Sequence, residues 1–302
     1  MKLLHADATP ASLKFLWFYV FGIWFVSVVF DPLPVIAKLP QEIFEPAGAF
    51  RYLPESFKMW WFTEPALFWL RIGTLVSLFM AAIKRSWTAG IIASLFLTVY
   101  QATVRGCEKI SHDDLPMLYA AYCVSLFGLA DAWAAKRAGK SGKAANLASI
   151  PWISTVFLML LCYSLLGAHR LARGGMHLFQ SDSLKWYMIH NAHHPAIFIP
   201  WDVVKVLSEY PWIYPLLKAG FPVITLFELL APLAIAFHRF RIVFLGVMLS
   251  FFVLNWFFMS LIFWQNFLLC LLLFDFSGHV SNGTRWLPFS FQKPVLQFRG
   301  RH

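Results

Sequence analysis

Two ionisable side chains, Arg71 and Glu228, interrupt long apolar stretches of this chain. A charged group at the centre of a membrane helix costs about 2.5–3.5 kcal/mol on insertion scales, so each needs a partner or a function. Pro232, shortly after Glu228, has no N–H, which leaves the Glu228 carbonyl open to another donor. Glu228 is therefore predicted either to line a site or to form a structural ion pair with an arginine. Arg71 is predicted to reach the headgroups, to pair with Glu228 or to hold an anionic ligand.

Two histidines stand at predicted helix ends beside other ionisable groups. His112 precedes Asp113, and His169 precedes Arg170. Imidazole titrates near neutral pH, which suits proton exchange or donation to an oxyanion. The segment 111–114 also resembles a capping box, so its acids can instead satisfy free helix N–H groups. If consecutive antiparallel helices place their outer ends together, His112 and His169 face one cavity.

A third group, His190, His193 and His194, has the i, i+3, i+4 spacing of one helix face. Such a triplet is a weak candidate for zinc or copper, because Pro195 follows at once and no H-E-x-x-H motif is present. Three histidines at a headgroup region are the commoner interpretation, so we expect no metal. The four cysteines form no C-x-x-C pair and predict neither a disulfide framework nor a zinc site.

The composition of the whole chain indicates a membrane protein. Of 302 residues, 59% are hydrophobic and only 13% are charged, and the mean hydropathy is +0.63, too apolar for a water-soluble domain. The net charge of +10 then indicates topology signals and contacts with anionic lipid headgroups, not nucleic acid. The first apolar run lacks a cleavage pattern and is interpreted as an uncleaved first span.

The apolar windows predict one all-α, polytopic domain over residues 1–302, with about eight transmembrane helices. A span needs about 20 mainly apolar residues. The windows are 12–30, 65–83, 87–104, 115–133, 151–168, 221–237, 242–260 and 261–277. One long tilted helix is the alternative for the last two windows. The segments 31–64 and 169–220 are predicted to carry interfacial helices on the outer side.

Basic residues in the short loops predict the orientation. Lys84 and Arg85, the linker 136–143, and the pair Arg239 and Arg241 all fall on the inner side if the N-terminus is cytoplasmic. We therefore expect a bacterial inner membrane protein with both termini in the cytoplasm. In this orientation Glu228 lies below a ring of polar residues on the outer side, which predicts a polar cavity that opens outward. That ring comprises Arg71, His112, Asp113, His169, Arg170, Asn255, Gln265 and Asn266.

Five short stretches, taken in order, resemble the membrane domain shared by vitamin K-dependent gamma-carboxylases and their bacterial relatives, the horizontally transferred transmembrane domain family. The likeness runs over about 12–277. It rests on Phe44-Glu45-Pro46-Ala47-Gly48, on Arg71, on Ser111-His112-Asp113, on Gly167-Ala168-His169-Arg170-Leu171 and on Phe227-Glu228-Leu229-Leu230-Ala231-Pro232.

The resemblance implies a quinone cofactor and a base, and this chain departs from it at the base. In the carboxylases a lysine of a glycine-x-lysine-lysine-leucine stretch deprotonates the reduced quinone, and a histidine matching His112 stabilises the charge. Here His169 and Arg170 occupy the two lysine positions, and a guanidinium does not release its proton in proteins. Phe251-Phe252 stands where relatives carry a phenylalanine-histidine pair. Glutamate carboxylation is therefore not expected, whereas a cavity for a quinone-like ring is.

The hypothesis is a carboxylase-like membrane enzyme that performs proton or redox chemistry on a quinone-like or lipid-soluble substrate. His112 and His169 would exchange protons, Arg170 and Arg71 would anchor anionic oxygens, and Glu228 would balance the arginines. Asp113, Asn255 and Gln265 complete the predicted site. The alternative is a non-catalytic subunit or maturation factor that packs against a larger membrane complex or an exported peptide.

Overall fold

A computed structural model describes residues 10–31, 33–38, 51–105, 115–138, 149–174, 182–192, 203–259 and 263–274. Throughout these ranges the regular elements are helices, and none is a strand. This confirms the predicted all-α class. The predicted residues His112, Asp113, His193 and His194 lie outside the described residues.

The described residues form twelve α-helices and a 3-10 helix at Leu33–Lys38. The α-helices are α1 Pro10–Phe30, α2 Glu55–Trp61, α3 Glu64–Lys84, α4 Trp87–Arg105, α5 Leu115–Ala138, α6 Ser149–Gly174, α7 Ser183–Ala192, α8 Val203–Glu209, α9 Ile213–Leu229, α10 Leu233–Ala236, α11 His238–Met259 and α12 Trp264–Leu271.

Helix α1 packs against α3, α5 and α6. It is apolar nearly all round, and residues such as Phe18, Val26 and Phe30 are exposed on its outer face, as expected of a membrane helix that packs on one side and faces lipid on the other. Two of its polar ring groups bind backbone carbonyls of neighbouring helices: the Trp24 indole donates to Met117 O at 3.1 Å, and the Tyr19 hydroxyl donates to Leu268 O at 2.6 Å. Each bond satisfies a polar atom inside the bundle and fixes the register of the helix it reaches.

Helices α3, α4 and α5 follow one another as antiparallel neighbours. Arg85, which has a φ of 51°, makes the tight turn between α3 and α4. Along α4 and α5, Ser94 lies 3.4 Å from Ser125, and Thr98 lies 2.6 Å from Tyr122, so one helix rises as the other descends. Small and hydroxyl residues at such contacts let membrane helices approach closely.

The predicted window 221–237 is displaced in the structure. Helix α9 begins at Ile213 and ends at Leu229, earlier at both ends. Pro232 comes shortly after Leu229, and its missing N–H and the bulk of its ring interrupt the helix there, so that α10 follows as a separate element. Helices α8 and α9 form a pair bent by 108° between Glu209 and Ile213. The other end of α9 packs against α6, where Glu228 is placed.

Helices α11 and α12 are separate, so residues 242–277 do not form one long helix. Helix α11 ends at Met259, and α12 begins at Trp264 and runs back along α1. Gln265 donates to Ser27 Oγ at 2.9 Å, whereas Leu268 meets Tyr19 earlier in α1. Hence α12 is antiparallel to α1.

Five described helices are long and apolar enough to cross a membrane, or six if the bent pair α8 and α9 counts as one span. This supports a multi-pass membrane protein and does not confirm the count of eight. The apolar part of α5, Leu115–Ala130, and the eight residues of α12 are both shorter than a full span.

Candidate functional site

A buried ion pair joins α6 to α9. Arg170 Nη1 lies 2.6 Å from Glu228 Oε2, and the Glu228 side chain is fully buried while that of Arg170 is 23% exposed. A charge-assisted hydrogen bond of this length is among the stronger polar contacts in proteins. The structure therefore brings together two of the predicted site residues, which lie 58 positions apart in sequence.

Gly167 permits the close approach of α6 and α9 that this pair requires. A Cβ at Gly167 would lie 2.9 Å from Leu229 N and 3.1 Å from Glu228 Cβ. One turn earlier on α6, Ser164 donates to Leu229 O at 2.9 Å. The Ser164 bond therefore occupies a carbonyl at the end of α9, where helical N–H partners run out.

Helix α9 supplies an aromatic wall beside the ion pair. The Arg170 guanidinium lies 5.5 Å from the centre of the Phe221 ring, within the range of a cation–π contact. Thr225, between Phe221 and Glu228, is buried and donates to Phe221 O at 3.0 Å. The site thus combines a cation, a carboxylate and a ring face, a set that suits an amphipathic aromatic ligand.

The second oxygen of the Glu228 carboxylate, Oε1, is not the one that pairs with Arg170. It is buried and has no hydrogen-bond partner within the described ranges. A buried acceptor without a partner costs about 1–3 kcal/mol relative to a satisfied one. A ligand hydroxyl that donated to Oε1 would remove that cost.

Arg71 lies in a second polar cluster and does not pair with Glu228. It donates to Val29 O at 2.6 Å and to Val28 O at 3.3 Å, which are carbonyls at the end of α1. The Asp31 carboxylate interacts with both Arg71 and the Tyr100 hydroxyl. Arg71 therefore caps α1 and balances Asp31, a structural role that differs from the predicted pairing with Glu228.

The two predicted amide residues contact other helices or their own. Gln265 reaches Ser27 on α1, whereas Asn255 donates to Phe251 O in its own helix at 2.8 Å. Asn266, the residue after Gln265, is also buried. The contacts of Gln265 and Asn255 do not place these amides at the Glu228 carboxylate.

The histidines are distributed differently. His169 is exposed on α6, one position before Arg170. His190 lies on α7, but its side chain is not among those described, like the whole of His112, His193 and His194. Within the described part of the chain no three His, Cys, Asp or Glu side chains are grouped so as to hold a metal.

An aromatic groove of about 600 Å³ lies between α2, α3 and α4. It has no ionisable residue in its lining. The lining residues are Trp60, Trp61, Thr63, Pro65, Ala66, Trp69, Leu70 and Phe96. The groove suits hydrocarbon, whereas the acid–base groups are on α6 and α9.

Sequence reasoning missed Asp31 and Tyr100 as partners of Arg71, and it assigned Arg241 to an inner loop. Asp31 comes directly after the first span, so its position was a usable signal for an acid near Arg71. Arg241 is buried in the structure, and nothing in the sequence distinguishes it from the exposed Arg239. Nothing in the sequence indicated that Tyr100 lies near Asp31, and only the fold shows it.

Comparison with protein-family models, with curated proteins and with solved structures finds no match to this chain.

Proposed function

We propose that this protein is a carboxylase-like membrane enzyme that exchanges a proton with a quinone-like, lipid-soluble substrate at the Glu228–Arg170 site. The observation that carries the proposal is the second Glu228 oxygen, buried and without a partner within the described ranges. A quinol hydroxyl is a donor on an aromatic ring, and it fits an acceptor that lies beside Arg170 and Phe221.

In this proposal Arg170 holds Glu228 in place and attracts the developing negative charge on the substrate oxygen. Arg170 stays charged and acts only electrostatically. His169, exposed one position away, would pass the proton toward water, and His112, outside the described residues, would assist. Arg71 is assigned to the cap of α1 instead of to the substrate, because it donates hydrogen bonds to the α1 carbonyls of Val28 and Val29.

The proposal includes the finer topology. Eight spans would require α5, the bent pair, and α12 with the chain that follows it each to cross the membrane. We place the protein in a bacterial inner membrane with both termini in the cytoplasm and the α6 end that carries Arg170 facing outward. The basic residues at the turn between α3 and α4 support this orientation.

Equilibrium dialysis of a short-chain quinol, kept reduced, against purified protein in detergent tests the proposal. E228Q is expected to weaken binding by about tenfold or more, because hydrogen bonds to charged groups contribute about 1.5–3 kcal/mol. E64Q is the matched control, since Glu64 is exposed in the first turn of α3.

Equal quinol affinity in E228Q, E64Q and unaltered protein would contradict the proposal, as would no binding of the quinol to unaltered protein. Stoichiometric co-purification of another membrane protein with no bound quinone would favour the non-catalytic subunit instead.

A further inference from the structure

A buried arginine, Arg241, binds the segment after Glu228 in which the helix is interrupted between α9 and α11. Helix α9 ends at Leu229, and the single-turn helix α10, Leu233–Ala236, ends where Phe237 turns away with φ −114° and ψ 107°. The carbonyls at the end of such a short helix have few backbone N–H partners. A buried carbonyl without a donor is unfavourable, so a side-chain donor stabilises this segment.

Arg241, on the first turn of α11, supplies that donor. Its Nε lies 2.8 Å from Ala234 O, and its Nη2 lies 3.0 Å from Ile235 O. The residue is only 8% exposed. A guanidinium suits two adjacent carbonyls, because its N–H groups form a rigid planar fork.

Helix α11 also contacts α9 just before the helix is interrupted. Phe240 stacks on Phe227 with 5.7 Å between ring centres and 10° between their planes. Ala231 N donates to Glu228 O at 3.1 Å, so the turn after α9 is tied directly to the Glu228 backbone. Helix α11 therefore holds residues on both sides of Glu228, while α6 holds its carboxylate.

We propose that Arg241 is a positioning residue for Glu228: it fixes the broken segment from α11 and thereby keeps the carboxylate against Arg170. The inference deepens the proposed function, since it concerns the same carboxylate. Without Arg241 the end of α9 is free to shift, and Glu228 moves away from its partner. A carboxyl that leaves a guanidinium in apolar surroundings favours the protonated form.

Carbodiimide labelling tests this positioning role without any substrate. Dicyclohexylcarbodiimide partitions into apolar regions and adds to protonated carboxyl groups, and peptide mass spectrometry reads the adduct at each carboxyl. R241Q in the full-length protein is expected to label at Glu228 about tenfold faster, the factor that corresponds to one charge-assisted hydrogen bond. Asp31 is the internal reference, since it lies in the separate cluster with Arg71.

R239Q is the matched control, because Arg239 is exposed two positions earlier on the same helix turn. It is expected to label like unaltered protein at both carboxyls. R241K keeps the positive charge but cannot reproduce the planar fork, so its rate at Glu228 is expected between those of unaltered protein and R241Q. This variant also tests the proposal if R241Q does not fold.

Three results would overturn the proposal: an R241Q rate at Glu228 equal to that of R239Q, an R241K rate equal to that of unaltered protein, or a parallel rise at Asp31. The last would mean general loosening of the bundle. Failure of quinone binding in unaltered protein would overturn the proposed function and leave this result standing.

Discussion

The ion pair between Arg170 and Glu228 has opposite consequences for single and double substitution. Removing one member of a buried pair leaves an uncompensated polar group and costs about 3–5 kcal/mol, whereas replacing both with apolar residues is often close to neutral. We expect R170M to lower the thermal unfolding midpoint more than the double variant R170M/E228M does.

Thermal unfolding of both variants in one detergent gives the comparison. Additive losses, with the double variant the less stable of the two, would show that the pair contributes little to the end of α9.

Arg71 is expected to act on stability through the end of α1. R71M removes the donors to Val28 O and Val29 O and leaves Asp31 without its guanidinium, so we expect a loss of about 1–3 kcal/mol. R239M, which removes an exposed arginine, is the control and should change the midpoint little. Equal midpoints for the two variants would contradict the capping role.

At the scale of elements, the contact between α6 and α9 depends on Gly167. G167A places a methyl group 2.9 Å from Leu229 N, which is backbone and cannot turn aside, so the helices must separate. We expect destabilisation of about 1–3 kcal/mol, typical of overpacked cores, together with weaker quinone binding.

G246A is the matched control, since a Cβ there meets nothing within 4 Å. In a helix interior alanine is favoured over glycine by about 1 kcal/mol, so this variant should be neutral or slightly stabilised. If G167A behaved like G246A in thermal unfolding, the close approach would not matter.

The Asp182 carboxylate, at the start of α7, is hydrogen-bonded to two side chains of α9. This carboxylate accepts hydrogen bonds from the Tyr214 hydroxyl at 2.9 Å and from Lys218 at 3.1 Å. The Tyr214 bond, followed by the Lys218 bond and charge, lowers the pKa of Asp182 below its ordinary 3.8. Because its pKa is lowered, the Asp182 carboxylate keeps its full contribution to stability at pH values above 3.8. This contribution is lost as the pH falls through the lowered pKa and the carboxylate becomes protonated.

Hydrogen exchange of α7 should therefore accelerate in acid below the ordinary carboxyl range. D182N should lose most of that pH dependence, because its amide keeps an oxygen acceptor but no charge. Identical acid profiles for D182N and unaltered protein would assign the effect to another group.

At the scale of the whole molecule, the orientation of the bundle is open to a direct check. In a cysteine-free background, a cysteine at Glu64 should react with an impermeant maleimide added outside intact cells, and one at Lys84 should react only after lysis. These residues begin and end α3, so they lie on opposite faces if that helix spans the membrane. The reverse pattern would invert the proposed topology.

The helical class and the multi-pass membrane character could be predicted from composition and apolar windows, because a bilayer leaves helices as nearly the only option for such segments. The Glu228–Arg170 contact was predicted in part: an acid in an apolar stretch before Pro232 indicated a buried partner. Sequence could not choose between Arg71 and Arg170, since that choice depends on which helices pack together. Because Gly167 has no side chain, α9 can approach α6 closely enough for Glu228 to meet Arg170. This role of Gly167 is visible only once α9 lies against α6.

The span count was less predictable for a physical reason. Hydropathy windows locate apolar segments but do not register the 108° bend between α8 and α9 or the short length of α12. Nor do such windows register the interruption between α9 and α11, where Arg241 binds the carbonyls of Ala234 and Ile235. Arg241 and the exposed Arg239 carried the same sequence signal, but Arg241 is buried and binds two carbonyls of α10.

The most direct test of the central claim is to map where a short-chain photoreactive quinol, kept reduced, attaches to the protein. The claim is that Glu228, with Arg170 and Phe221 beside it, forms the quinone site. Illumination followed by peptide mapping should place the label on α6 and α9 in unaltered protein and in E64Q, and E228Q should lose most of it. Label confined to the tryptophan groove of α2, α3 and α4, or unchanged by E228Q, would contradict the account.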